Sequence, residues 1–333
     1  MNAPLVSICV FTFNSATTVE QTLDSIYNQT YKNIELIISD DFSTDDTLPV
    51  CQKWIQTHNN RFHSCQLLTV NHNTGTTANT NRAYHASKGE WIKPIAADDL
   101  LKPYAIAKYL DYCNNTNTKA CVTSLDYFGD ATRITQKEIS YSSFYNKYSQ
   151  ATKSERYNIL LSECALPMPS LFISKSLLEE IGYADESYAF SEEWPLYMRI
   201  FEAGYDIPYL PIKLVEYRCE NSCLSIGANY DNTIKGKSYQ IARRKVFEDG
   251  YKFYLEYRRP RLLAQRKLYK VFSEDVSYKI IYLASQETRS TSDKFKLSCL
   301  RAISPRTYKN IYSYLRHASF KEFRRKTKAF FKL

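Results

Sequence analysis

The sequence predicts an α/β fold: a mostly parallel central sheet flanked by helices, with a basic helical C-terminal extension. Three observations predict it. Apolar, β-branched runs alternate with amphipathic stretches over residues 5–113, the rhythm of parallel strands joined by crossover helices. Polar clusters at Asn14, Asp40–Asp41, Asn71–Gly75 and Asp98–Asp99 fall where these runs end, and open parallel sheets bind ligands at the carboxyl ends of their strands. From residue 235 onward the chain carries 26 Lys+Arg against 8 Asp+Glu, with 18 against 27 before it.

Each element has its own signal. "LVSICVFTF" (5–13) is rich in β-branched and aromatic residues and reads as a buried strand. Asn14 and Ser15 break it, and Val19, Leu23, Ile26 and Tyr27 follow at helical spacing. "IELIIS" (34–39) is a second buried strand. Ser43 and Asp46 then form an [ST]-x-x-[DE] capping pattern for a helix through His58. "QLLTV" (66–70) is a third strand, followed by a polar loop and a helix to Lys88. "EWIKPIA" is a fourth strand, and Pro103 opens a helix carrying Ile106, Tyr109, Leu110 and Cys113. Residues 140–165 read as helical and "PSLFIS" as a strand. "EEWPLYMRIFEAGY" (192–205) reads as a helix ended by Gly204, with short strands at 207–218. Beyond residue 235 the pattern is helical and basic.

Composition narrows the function classes. The 333 residues exceed what one compact domain needs. Nine scattered cysteines without a C-x-x-C pair argue against a disulfide framework or a zinc site, and for a reducing cytosol. No signal peptide and no run of about 18 apolar residues is visible, so the expected location is cytoplasmic and any membrane contact peripheral. Eight glycines, with no Walker A loop and no G-x-G-x-x-G, leave no glycine cradle for phosphate.

Adjacent carboxylates at a strand end repel each other and so need a reason. Asp98 and Asp99 follow the apolar "WIKPIAA". They can cap the next helix, bind a divalent cation, or act as acid and base. Carboxylate oxygens are hard ligands suited to Mg²⁺ or Mn²⁺, usually combined with substrate phosphates. On that reading the pair is a metal handle for a nucleotide diphosphate.

Four stretches then carry a resemblance. "VSICVFTFNSATTVEQTLDSIYNQTYKNIELIISDDFSTDDT", "NTG…ANTNRAYHASKGEWI", "AADD" and "EEWPLYMR" together resemble glycosyltransferase family 2, in order and spacing, over residues 5–225. The resemblance implies a nucleotide-sugar-binding GT-A fold and inverting transfer of a sugar, with UDP the expected nucleotide. It implies a transferase domain over 1–230, with a donor half at 1–128 and an acceptor half at 129–230, followed by the basic region 231–333. Carried over by position, Thr12, Phe13 and Asn14 line the nucleoside pocket, with Phe13 packing on the base. Asp41 hydrogen-bonds the base, and Asn73 belongs to the same donor site. Asp98 faces the ribose or donor sugar, and Asp99 coordinates Mn²⁺ or Mg²⁺. Glu193 is the general base, with Glu192 beside it. The chain departs from the family pattern in places. Phe42 and Thr80 stand where Gly and Arg are common, and Ala96 replaces the first Asp of the fuller D-x-D-D form. Glu193 is longer than the usual Asp, and Glu220 stands where a His is common.

The basic tail mixes Lys/Arg with Tyr, Phe and Leu, as in "YRRPRLLAQRKLYKVF" and "YLRHASFKEFRRKTKAFFKL". Such a segment suits an anionic bilayer surface. This places the chain on the inner face of the cell membrane, where the family's lipid-linked glycan acceptors in surface polysaccharide (capsule, O-antigen) synthesis lie. A plain structural tail is the alternative, and no nucleic-acid recognition motif is present. Two rival functions remain at this level. One is a nucleotidyltransferase, which "FNSATTVEQ" disfavours because it lacks a glycine-rich basic loop. The other is a non-catalytic sugar-nucleotide-binding or membrane-scaffold protein of the same fold.

Overall fold

Val6, Ile8 and Val10 are completely buried, and so are Ile34, Leu36 and Ile38. These alternating positions belong to strands β1 (Val6–Thr12) and β2 (Ile34–Asp40), buried almost throughout, as expected of parallel strands covered by helices on both faces. A computed structural model describes residues 3–162, 166–188, 191–220, 248–265 and 274–275 of the chain. The chain divides into two compact units, Met1–Glu220 and Asn221–Leu333.

In the first unit, β1 leads into α1 (Val19–Tyr27) and β2 into α2 (Thr47–His58). Strand β3 (Cys65–Leu68), helix α3 (Thr76–Ala86) and strand β4 (Trp91–Ala96) continue the alternation. A two-residue β5 (Leu100–Leu101) precedes α4 (Ala105–Thr116), β6 (Ala120–Gly129), α5 (Ala131–Ser149) and α6 (Lys153–Ser162). Then follow β7 (Leu171–Ser174), α7 (Lys175–Ile181), α8 (Glu193–Glu202) and β8 (Tyr209–Cys219). The eight strands form one sheet in the order β3-β2-β1-β4-β7-β6-β8-β5.

β1 is parallel to both β2 and β4, and β2 to β3. β7 is antiparallel to β4 and to β6, while β6 and β8 are parallel and β5 is antiparallel to β8. β1, β2, β3, β4, β6 and β8 therefore all point one way. Their carboxyl ends, at Thr12, Asp40, Leu68, Ala96, Gly129 and Cys219, share one edge of the sheet, and the site is built there.

The structure corrects several local readings. The Ser43–Asp46 capping box does not form. α2 starts at Thr47 without a side-chain cap bond, and the Ser43 hydroxyl instead donates to Asp40 Oδ1. The helical stretch 140–165 is two helices, α5 and α6, that begin earlier at Ala131. The short strands at 207–218 are one 11-residue strand, β8, with register shifts against β6 near Ser124. Gly204 does end α8, in the left-handed region at φ +89. No helix among the described residues is long and apolar enough to cross a membrane. In the second unit, Tyr254–Arg258 and Arg259–Ala264 are helical. Most of the basic tail lies outside the described residues.

Candidate functional site

The loops after β1, β2 and β3 are tied to one another. Thr12 ends β1 with its hydroxyl donating to Asp40 Oδ1 at 2.7 Å, so it is committed inside the edge. Asn14, at φ +51, donates its backbone N–H to Ser43 Oγ and accepts from the Thr44 N–H, each at 2.8 Å. The buried Asp41 accepts from the backbone N–H groups of Thr74 (2.9 Å) and Gly75 (2.8 Å). Asn73 Nδ2 donates to the Asp41 carbonyl at 3.0 Å. Arg82 from α3 reaches Asp41 Oδ1 at 3.4 Å and also binds Thr74 Oγ1, Asn79 Oδ1 and the Asp40 carbonyl. Arg82 thus fastens this corner, whereas Thr80 Oγ1 is buried without a hydrogen-bond partner. Phe13 and Phe42 are each 43% exposed at the corner's rim.

Beyond β4, Asp98 is half-buried and Asp99 is only 1% exposed. Both are fixed by Arg218, which the sequence reading did not single out. The Arg218 backbone N–H donates to Asp99 Oδ1 and its Nε to the Asp98 carbonyl, each at 2.9 Å. Its Nη2 donates to Gln21 Oε1 on α1 at 2.6 Å, and its Nη1 pairs with Glu220 at 3.3 Å. Burial lifts the Asp99 carboxyl well above the usual carboxylate range, and the Asp98 charge lifts it further. Asp98 is raised chiefly by burial, against the pull of Arg218.

Asp99 Oδ2 is buried with no hydrogen-bond partner. An orphaned carboxylate oxygen beside a second carboxylate is a place where a cation is stabilising. No group of three His, Cys, Asp or Glu among the described residues forms a cage. The residues therefore fit an ion held by Asp99 with the remaining ligands supplied by phosphate and water, the usual Mg²⁺ arrangement.

Glu193 opens α8 with Glu192 at its N-cap, and both are half-buried. The polar face of α3 pins the chain leading to them. The Thr77 hydroxyl donates to the Tyr188 carbonyl. The Asn81 amide exchanges hydrogen bonds with the backbone of Ala184 at 2.9 and 3.0 Å and donates to Glu186 at 2.9 Å. The charges of Glu192 and Glu193 reach Tyr84 of the same helix; behind burial and Cys9, they help hold its phenol neutral.

A second residue not foreseen is Lys93, wholly buried in β4. Its ammonium donates to the carbonyls of Pro94 (2.9 Å), Leu171 (3.1 Å) and Pro169. It ties the parallel half of the sheet to β7. Burial pushes its pKa down to about 7, against the opposing pull of Asp99.

The family model of Glycosyl transferase family 2 matches residues 7–182. An uncharacterized glycosyltransferase of Rickettsia prowazekii (strain Madrid E) is 28% identical over 210 residues, covering 61% of this chain and 60% of the relative. The chain thus spans about three fifths of the length of the first such relatives, 60% in each of two Rickettsia proteins. The GalNAc(5)-diNAcBac-PP-undecaprenol beta-1,3-glucosyltransferase of Campylobacter jejuni is 29% identical over 187 residues, 56% of either chain. Among solved structures, a mannosyltransferase from Pyrobaculum calidifontis in complex with GDP-Man and Mn²⁺ aligns with a TM-score of 0.55 at 16% identity, covering 99% of this chain and 88% of that one. S. aureus TarS 1–349 in complex with UDP-GlcNAc aligns at 0.55 and 13% identity, covering 97% and 92%. At such identities the likeness establishes the fold, which is of the GT-A type.

Proposed function

Because the chain belongs to glycosyl transferase family 2, by the match over residues 7–182, we propose that it is an inverting glycosyltransferase using a nucleotide-diphosphate sugar, with UDP the expected nucleotide. The acceptor is a hydroxyl of a glycan or lipid-linked glycan in surface polysaccharide synthesis. The Campylobacter jejuni relative's name specifies an undecaprenol-linked acceptor, which supports that choice. The observation that carries the reading is the buried, unpartnered Asp99 Oδ2, on the edge where the β1–β3 loops are gathered.

On this reading the nucleoside lies over the Asp41 corner, between the exposed rings of Phe13 and Phe42. Asp98 faces the ribose or sugar. Asp99 would hold Mn²⁺ or Mg²⁺, which would supply positive charge to the diphosphate. Glu193 takes the proton from the acceptor hydroxyl as its oxygen attacks the anomeric carbon. The bond from that carbon to the diphosphate oxygen breaks, the diphosphate leaves with the electron pair, and the configuration inverts. Glu192 adds negative charge beside the base, which favours its taking a proton.

Thermal unfolding with UDP, GDP and dTDP, each with and without Mn²⁺, tests the donor site. A ligand at about 100 times its Kd adds about 2.7 kcal/mol. A shift that needs one nucleotide plus Mn²⁺, and is absent in Asp99→Asn, is the expected result. No shift with any pair would leave a non-catalytic protein of the same fold. Glu193→Gln is expected to lower transfer by about 10²–10⁴-fold with donor affinity retained. Undiminished transfer would remove Glu193 from the mechanism.

A further inference from the structure

Helix α5 is turned back over the end of β8 by a tight corner. Gly129 ends β6 at φ +107, where a Cβ would meet Glu220 Cγ at 3.1 Å and the Cys219 carbonyl oxygen at 3.2 Å. Asp130 caps the helix, accepting the Arg133 N–H at 2.9 Å, and its own N–H donates to the Cys219 carbonyl at 3.1 Å. The first turns of α5 are therefore held beside Tyr217, Arg218 and Cys219, next to the segment that positions Asp98 and Asp99.

Lys137 lies on this part of α5, half-buried. Its Nζ is 4.7 Å from the ring centroid of Tyr217 and 5.6 Å from that of Tyr141. It makes no ion pair and no hydrogen bond with any described residue. Among the described residues, Arg82 at this edge is engaged by the Asp41 corner, and Arg218 by Asp98, Gln21 and Glu220. Arg133 donates to the Glu220 carbonyl at 3.2 Å. Lys137 keeps its three N–H donors. Burial lowers its pKa, while Cys219, Asp99 and Asp98 act to keep it charged. It is therefore within electrostatic reach of the carboxylate pair without being bonded to it.

A half-buried ammonium with unspent donors can accept an anion in place of water. Lysine binds phosphate as a compact point charge on a flexible stem. We propose that Lys137 binds the diphosphate of the nucleotide donor, from the acceptor-side half of the sheet and opposite the nucleoside corner. This rests on the donor-site reading above. Tyr217 and Tyr141 hold the ammonium in place through their ring faces.

The test is calorimetric titration of the full chain with Mn²⁺ present, using UDP, GDP and dTDP and then the nucleoside matching whichever diphosphate binds. Lys137→Met and Lys137→Gln are compared with Lys137→Arg, and melting temperatures verify folding. The expected result is a loss of about tenfold or more in diphosphate affinity for Met and Gln, unchanged nucleoside affinity, and substantial recovery with Arg. Equal losses for nucleoside and diphosphate, or no loss for either, would assign Lys137 to packing alone. Wild-type protein that binds no nucleotide diphosphate would instead overturn the donor-site reading, and this inference with it.

Discussion

Phe42 holds a backbone angle of φ +66, a region that costs a side-chain-bearing residue about 1–2 kcal/mol. The residue is 43% exposed at the corner proposed to hold the nucleoside. A strained, bulky residue with an exposed ring is better explained by contact with a ligand than by packing. Phe42→Gly relieves the strain and loses some packing and backbone order, so stability should stay within about 1 kcal/mol of wild type. Affinities for nucleoside and nucleotide should fall together, by several-fold; unchanged nucleoside affinity in titration would show that the ring does not touch the base. Lys93 makes a different prediction. Its folded pKa, about 7, lies below the ordinary 10.5. The unfolded chain therefore binds more protons between those values, and stability attributable to this residue rises as pH rises through that window. The burial penalty is fully present below about pH 7. Relative to Lys93→Met, wild type should gain on the order of 1 kcal/mol per pH unit from pH 7 towards 9, read by denaturant unfolding at each pH. A flat difference would mean that the three carbonyls keep the ammonium charged throughout.

At the level of elements, the edge opposite the site holds β1, β2 and β4 in register. Glu35 of β2 is wholly buried and accepts from Ser7 Oγ, Ser64 Oγ and the N–H groups of Lys88 and Gly89. A Cβ on Gly89 would lie 2.6 Å from both Ser7 N and Ser7 Oγ. Gly89→Ala should therefore cost about 1–3 kcal/mol while leaving nucleotide affinity within about twofold, because the site is at the other end of these strands. A melting temperature equal to wild type would show that the approach is looser than the structure places it. The first four parallel strands and their helices were legible because each carries its own period and breaker. The later elements were not. β6 and β8 are long strands whose burial is uneven, so neither period stands out. The Ser43–Asp46 pattern failed because Asp40, three residues earlier, accepts from both the Ser43 hydroxyl and its backbone N–H, while Asn14, distant in sequence, donates its backbone N–H to the same hydroxyl. Among site residues, the acidic pairs announced themselves as adjacent charges. Arg218 and Lys137 carry no local signal; their neighbours are set by the β6–β8 register and by the corner at Gly129, which only the fold brings together.

Over the whole molecule, charge is the strongest asymmetry. Residues from 235 onward hold 26 Lys+Arg against 8 Asp+Glu, and the preceding residues hold 18 against 27. A net-acidic catalytic unit repels an anionic membrane, so any attraction must come from the basic segment. Each Lys or Arg brought near an anionic surface contributes about 1 kcal/mol, an effect confined to roughly a Debye length. That length shrinks from about 10 Å at 0.1 M salt to about 3 Å at 1 M. The full chain is therefore expected to sediment with vesicles rich in phosphatidylglycerol at 0.1 M salt, to leave them near 1 M, and to ignore neutral phosphatidylcholine vesicles. Docking would hold the chain near lipid-linked glycans and raise their local concentration, so transfer to a lipid-linked acceptor should show the same salt dependence. Transfer to a short soluble acceptor glycan should not. Equal sedimentation with neutral and anionic vesicles would point to apolar insertion instead of charge. No sedimentation with either, together with salt-independent transfer, would make the basic segment a part of the protein's own packing.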